Sequence, residues 1–228
     1  MLEDGRETTA HCPNPGRMSS IIPESKLIYL TDLSAPPKNG RKLDYRWELA
    51  RVRDTLVVVN TQLANKVAAH LLHTNSHLRS RLGIIEETQI RSEVSLDSSS
   101  GKKSRFDFAL ELPSGKKTYL EVKQASLRVK DVDSTRWAAF PDAITERGRK
   151  HLEELTKLQL HGHSTALLYV IGRNDVDRIR PADEIDPAYG KAFRAAANAG
   201  VQMLACRLRA TTDALYLDGW LPVCQGKT

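Results

Sequence analysis

Glu93, Asp107, Glu121 and Lys123 are the residues of this 228-residue chain whose types and spacing suit chemistry on a phosphodiester. A magnesium or manganese ion takes oxygen ligands, is satisfied by one or two carboxylates, and keeps waters that phosphate oxygens can replace. Asp107 and Glu121 are read as its ligands, with Glu93 binding directly or through water. Lys123, two residues beyond Glu121, is read as the group that positions or deprotonates a water aimed at phosphorus. A surface hairpin bearing a solvated ladder of charges is the plainer alternative for the same residues.

Three strands must position these groups. A period of two puts Phe106, Phe108, Leu110 and Leu112 on one face and Arg105, Asp107 and Glu111 on the other. On the return strand Leu120 and Val122 are apolar partners, with Lys117, Tyr119, Glu121 and Lys123 opposite. A three-residue loop Pro113-Ser114-Gly115 sets Asp107 across from Glu121, Phe108 from Leu120, Phe106 from Val122 and Glu111 from Lys117. In the strand before them Ile90, Ser92, Val94 and Leu96 make one side, and Glu93 projects from the other.

Composition narrows the class. The hydrophobic share is 40%, enough for a core, and 34 Lys and Arg against 28 Asp and Glu give a net charge of +6, which leans toward a polyanionic partner. Cys12, Cys206 and Cys224 lie far apart with no CxxC pair, so neither a disulfide framework nor a zinc site is indicated and a reducing cytoplasm is expected. No apolar run reaches membrane-spanning length, and the first residues lack signal-peptide character.

Around the central stretch, residues 1–60 read as short β elements of a small barrel joined by turns, with the β-branched and aromatic residues in Lys26–Leu33 and Arg46–Val59 and Pro36-Pro37 and Asn39-Gly40 as breakers between them. His11 to Met18 reads as a shaped loop in which His11 is a hydrogen-bonding strut, and Trp47 as packing. A helix is expected over Thr61 to Leu72, capped by Asn60 or Thr61, with Leu63, Val67 and Leu71 and their neighbours as its stripe. His70, His73 and His77 are read as helix-end histidines and not metal ligands.

Gly101-Lys-Lys-Ser-Arg105 is a basic bend, either a phosphate contact or a solvated turn, and Arg128 to Trp137 an irregular connection. A helix then runs to about Leu160 with Arg147 and Lys150 on one flank and Glu146 paired to Lys150. A buried strand over Thr165 to Ile171, a helix over Asp186 to Ala199 and a strand over Val201 to Leu208 complete the order, with a last short strand or tail after Thr211. That order, with the acids on the three central strands, resembles the core of restriction-endonuclease-like PD-(D/E)XK proteins.

Several stretches together resemble one family, the sugar fermentation stimulation protein A (SfsA) family. They are Asp4-Gly-Arg6, His11-Cys-Pro-Asn14 with Gly16 and Met18, Val59-Asn60-Thr61 with Ala64-Asn65, Ser92-Glu93-Val94, Ser104-Arg105 with Asp107-Phe108, Glu121-Val122-Lys123 with Leu127, and Phe140 to Gly148 with Lys150-His151-Leu152. The resemblance implies an α/β protein, with an oligonucleotide-binding (OB)-like β-barrel over 1–60 and a PD-(D/E)XK nuclease-like domain with a mixed central sheet over 61–228. It also implies DNA binding of little sequence preference and a regulatory link to sugar (maltose) metabolism. Pro15 stands where the family usually has Thr. Members usually begin about a strand earlier than Met1, so the barrel is expected either to be open at one edge or to have its start misassigned.

Two function classes follow. One is a Mg²⁺- or Mn²⁺-dependent nuclease in which Asp107, Glu121 and Glu93 hold metal, Lys123 serves the nucleophile, and Arg105, Arg147, Arg149 and Lys150 clamp DNA phosphates. The other is a non-catalytic DNA-binding regulator that needs only the basic surface. In both the partner is DNA and no membrane is involved; a homodimer is left open.

Overall fold

The β-branched run on either side of Arg53-Asp54 does not make one strand but a tight hairpin. The computed structural model describes residues 1–35, 42–97, 103–130, 132 and 134–226. The Pro36-Pro37 and Asn39-Gly40 breakers and Gly101-Lys102 of the basic bend fall outside them. In the N-terminal unit β1 (Ala10–His11), β2 (Ser25–Asp32), β3 (Tyr45–Val52) and β4 (Thr55–Val58) form a four-stranded sheet centred on β3. Strand β2 takes one edge of β3, while β1 and β4 pair with its two ends. Arg53, with φ of 54°, reverses the chain between β3 and β4, so the Arg46–Val59 stretch supplies two of the short strands. Ile21, Ala50, Val52, Val57 and Val59 fill the core of this unit, with Trp47 packed at its side and its indole N–H donating to the Leu49 carbonyl at 2.9 Å.

Asn60 turns strand into helix: its side-chain oxygen accepts the Gln62 N–H at 3.1 Å at the start of α1 (Gln62–Thr74). The buried stripe of α1 is Ala64, Ala68, Leu71 and Leu72, all within the expected stripe, with Leu63 and Val67 half-buried at its edge. A short helix α2 (Ser76–Leu82), not expected from sequence, follows at once. Asn75 caps it by accepting the Leu78 N–H at 2.9 Å, and Gly83 closes it at φ 68°. His70 and His73 lie exposed on α1, and His77 stacks on Trp220 with ring centroids 4.7 Å apart.

The second unit is a mixed six-stranded sheet. In chain order come β5 (Gln89–Asp97), β6 (Lys103–Glu111), β7 (Lys117–Ala125), β8 (Leu127–Arg128), β9 (Trp137–Phe140), α3 (Glu146–Leu160), β10 (Ser164–Ile171), β11 (Arg178–Pro181), α4 (Pro187–Asn198), β12 (Gln202–Ala210) and β13 (Leu215–Trp220). The spatial order is β13-β12-β10-β7-β6-β5, with β7, β10 and β12 parallel to one another and the outer pairs antiparallel. Helices α1 and α2 cover one face through a core that includes Phe108, Leu110, Leu120, Val122 and Leu168. Helices α3 and α4 cover the other through Phe106, Tyr119, Leu152, Tyr169 and Phe193. Between Arg128 and Trp137 the described residues form no strand beyond an isolated Val132–Thr135 bridge, as expected, while the strands that end on Arg128 and begin at Trp137 belong to a small sheet, β11-β9-β8. The stretch after Thr211 is strand β13.

The two units are joined by hydrogen bonds to backbone. Val58 N–H donates to the Gly172 carbonyl at 2.7 Å, and the Gln124 amide donates to the Val58 carbonyl at 2.6 Å. The His11–Met18 loop is pinned at the same seam: Asn14 donates to the Val59 carbonyl at 3.1 Å and Met18 N–H to Asp142 at 3.0 Å. Gly16 is needed there, because a Cβ would stand 2.2 Å from the Asp142 carboxylate. Arg173, almost wholly buried, donates to Ser20 of the first unit and to Ser126 and Asp175 of the second.

Candidate metal centre

The hairpin loop is as its residues demand. Gly115 has φ 79°, Glu111 pairs with Lys117 and Phe108 with Leu120, in the expected register. Beyond Phe108 the β6–β7 ladder stops. The Asp107 side chain enters it instead, one oxygen accepting the Val122 N–H at 2.8 Å while the other accepts the Asn65 amide of α1 at 2.8 Å. The β5–β6 ladder skips the same rung: Ser92 pairs with Phe108 and Val94 with Phe106, and between them Glu93 adopts φ 52°. This paired irregularity reverses the alternation. Phe108 and Leu110 face α1, whereas Phe106, Val94 and Leu96 face α3 and α4. The single apolar face expected for Phe106, Phe108 and Leu110, and for Ile90 through Leu96, is therefore corrected to two faces that exchange at Glu93 and Asp107.

Glu121 lies on the α3 side and is 2% exposed. Its Oε1 receives both the Lys123 ammonium and Nδ1 of His151, the latter from the buried stripe of α3. Its Oε2 is buried and has no hydrogen-bond partner among the described residues. Burial, the largest single influence, pushes the Glu121 carboxyl up, but the His151 bond and the Lys123 charge together outweigh it and the group is held below its usual value. Asp107 moves the other way: burial first, then the Glu121 charge, raises its carboxyl, against the opposing pull of Val122 N–H, Asn65 and Lys123. Asp107 is thus engaged from α1 through Asn65, and Glu121 from α3 through His151.

The third carboxylate is not with them. Glu93 is an exposed side chain on the rim, 3.8 Å from the equally exposed Arg105. Among the described residues no group of three or more His, Cys, Asp and Glu is placed to hold a metal ion. A hard divalent cation that needs only one or two carboxylates and fills the rest of its shell with water still fits Asp107 and Glu121. The orphaned Glu121 Oε2 is the observation in its favour, since a buried carboxylate oxygen without a donor is costly unless a cation or water meets it.

The expected phosphate contacts divide. Arg147 is exposed and lies four residues before His151 on α3, whereas Lys150, about 100° around the helix from His151, is 3.7 Å from Glu154. Arg149 is two residues, about 200° around the helix, from His151 and is 3.9 Å from Glu146. The Glu146–Lys150 pair expected from spacing is replaced by Glu146–Arg149 and Lys150–Glu154. His151 is the site residue that sequence reasoning passed over. Its signal was present: a histidine in register with Gly148, Leu152 and Leu155, on a buried stripe that it shares with Glu154, requires a polar partner across the core.

A family model described as "Sugar fermentation stimulation protein RE domain" matches residues 62–214, and "SfsA N-terminal OB domain" matches residues 1–59. The chain belongs to the SfsA family. Among curated SfsA relatives, a "Sugar fermentation stimulation protein homolog" from Pseudomonas aeruginosa (strain LESB58) is 40% identical over 220 residues, covering 96% of this chain and 88% of the relative. One from Jannaschia sp. (strain CCS1) is 38% identical over 225 residues, covering 98% and 87%. A solved SfsA structure, "The structure of Pyrococcus Furiosus SfsA in complex with Ca2+", superposes with a TM-score of 0.78 at 24% identity, covering 96% of this chain and 87% of that one. That likeness carries the fold: an N-terminal OB domain followed by the mixed α/β sheet described above. Among the described residues no helix is long and apolar enough to cross a membrane, and Cys12, Cys206 and Cys224 are free thiols.

Proposed function

We propose that this protein is a divalent-metal-dependent phosphodiesterase acting in the cytoplasm on DNA with little sequence preference, on a PD-(D/E)XK-type site. The observation that carries the reading is the pair Asp107 and Glu121, with Glu121 Oε2 buried and lacking a donor among the described residues, beside the Lys123 ammonium. The Pyrococcus furiosus SfsA structure is of a complex with Ca²⁺, which accords with an oxygen-rich cation site in the family. Asp107 and Glu121 would hold Mg²⁺ or Mn²⁺, which when bound supplies Lewis-acid polarisation of a phosphoryl oxygen and a more acidic water.

The chain's own groups do the rest. Asn65 and the Val122 N–H fix the Asp107 carboxylate, and His151 fixes Glu121. Lys123 places positive charge where negative charge grows as water adds to phosphorus and the ester P–O bond breaks. Arg147 and Lys150 of α3 would meet the backbone phosphates, with Arg105 beside Glu93 and Arg149 as further cations. Glu93 is left the water-mediated place among the three acids.

Incubation of the pure protein with linear, nicked, branched and single-stranded DNA and Mg²⁺ or Mn²⁺ tests this. Cleavage abolished by Asp107→Asn supports it, and uncut DNA of every form overturns it. One observation favours the second reading, a DNA-binding regulator of sugar (maltose) metabolism genes without catalysis: three of the four carboxylate oxygens at the centre already have protein donors. In that case Asp107→Asn leaves DNA binding and regulation intact.

A further inference from the structure

A second polar centre lies at the seam between the two units. A cavity of about 20 Å³ is lined there by the polar side chains of Asn14, Thr61, Gln124, Ser126 and Asp142 and by apolar residues of β8 and β9. We infer that this cavity binds one monovalent metal cation, Na⁺ or K⁺, which ties the N-terminal unit to the second. The inference stands apart from the phosphodiesterase reading and uses none of the residues assigned to it.

The lining offers oxygens, because its amide nitrogens are directed at backbone carbonyls. The Gln124 nitrogen donates to the Val58 carbonyl at 2.6 Å; a carbonyl can only accept, which fixes the nitrogen at that end and leaves Oε1 as the other. Oε1 is buried and has no hydrogen-bond partner among the described residues. Asn14 likewise donates to the Val59 carbonyl at 3.1 Å, while its oxygen takes the single Gly16 N–H at 2.9 Å and keeps a second lone pair. The Thr61 hydroxyl gives its proton to the Pro13 carbonyl at 2.7 Å, so its oxygen also remains an acceptor. Asp142 accepts the Met18 N–H at 3.0 Å through one carboxylate oxygen. Against the oxygens of Asn14, Thr61, Gln124 and Asp142, the Ser126 hydroxyl is the one uncommitted donor of the lining among the described residues.

Oxygens gathered without donors are costly to bury, and a hard cation is what such a set suits. The lining has a single carboxylate and, among the described residues, no Lys, Arg or His, so one positive charge balances it. A water would supply two protons but leave the Asp142 charge unmatched. Mg²⁺ keeps several waters, for which the cavity has no room. One water-sized body needs about 10–15 Å³, and the cavity provides that. The oxygens come from segments far apart in the chain: the loop before β2, the start of α1, the end of β7 and the stretch before α3. An ion held by them therefore joins the two units at one point.

The test is thermal melting of the full chain in chelator, in NaCl, KCl and N-methylglucamine chloride at equal ionic strength. With Na⁺ or K⁺ at about ten times its dissociation constant, the midpoint is expected to lie roughly 3–6 °C above the N-methylglucamine value. Asp142→Asn is expected to melt at the same midpoint in all three salts, and Asp107→Asn to keep the full rise, which separates this cavity from the metal centre. A parent midpoint that is equal in the three salts, a rise that survives in Asp142→Asn, or a rise lost in Asp107→Asn overturns the site. Should Asp142→Asn not fold, crystals of the parent chain grown in Tl⁺ decide: an anomalous peak between Gln124 and Asp142 supports the site, and the lack of one there overturns it.

Discussion

Asp107 accepts the Val122 N–H at 2.8 Å at the rung where backbone pairing between β6 and β7 gives out. The carboxylate thus has a structural acceptor role and a chemical one, and two substitutions separate them. Asp107→Asn keeps an acceptor for Val122 while removing the charge; Asp107→Ala leaves that buried N–H unpaired and costs about 1–3 kcal/mol. Both are expected to reduce metal-dependent cleavage by at least about 100-fold, with only the Ala variant losing stability in a denaturant titration.

The raised carboxyl of Asp107 fixes the sign of a second measurement. Because its folded value lies above the unfolded one, ionisation opposes folding: stability contributed by the protonated form is lost as pH rises from the unfolded value of 3.8 through the folded one. At pH 7 without metal, Asp107→Asn is expected to melt roughly 1–3 °C above the parent protein. Added Mn²⁺ reverses the order by raising the parent's midpoint alone. A variant that melts lower in chelator, or gains equally from Mn²⁺, contradicts the assignment.

Glu121 has the opposite shift and a different test. Its carboxyl is depressed, so its contribution is present above the unfolded value of 4.5 and is lost as pH falls through the folded one. His151→Ala removes a principal cause of the depression. Acid unfolding followed by circular dichroism is expected to begin at higher pH in this variant, and Mn²⁺ affinity to fall about 10–100-fold. His151→Asn, which returns a donor to Glu121 Oε1, is expected to recover part of both. A purely packing role for His151 predicts no recovery.

Much of the scaffold was legible because its signals are local. The Pro113-Ser114-Gly115 loop set the β6–β7 register, the continuous apolar run Ala166–Ile171 marked the buried central strand β10, and Asp186 followed by Pro187 marked the start of α4. The failure at Glu93 and Asp107 has a physical cause. Alternation assumes that backbone pairs with backbone, and here a side chain takes a ladder N–H while the facing residue turns left-handed, so the strands exchange faces at the site itself. The His151–Glu121 contact joins residues 30 apart, and no spacing rule within one element reaches it. Helix α2 was missed because Asn75 both ends α1 and caps the next helix, so two helices read as one with a tail.

Glu93 sits on the irregular rung but faces solvent with Arg105. Glu93→Gln removes its charge without touching the Asp107–Glu121 pair. Turnover is expected to drop by about tenfold, as for a group acting through water. A loss comparable to Asp107→Asn in the same cleavage assay requires that Glu93 bind the ion directly.

Asp186 supports the centre from a distance. It is 2% exposed, and its two oxygens accept the Tyr189 N–H at 2.9 Å, capping α4, and the Thr145 N–H at 2.9 Å. Thr145 in turn caps α3 by accepting the Gly148 N–H at 3.0 Å, one turn before His151. Asp186→Ala leaves two buried donors unpaired and is expected to cost about 2–4 kcal/mol, lowering the melting midpoint by roughly 5–12 °C. Since α3 carries His151, Mn²⁺ affinity measured below the new midpoint is expected to fall as well. A destabilised variant with unchanged Mn²⁺ affinity shows instead that the start of α3 does not govern how His151 holds Glu121.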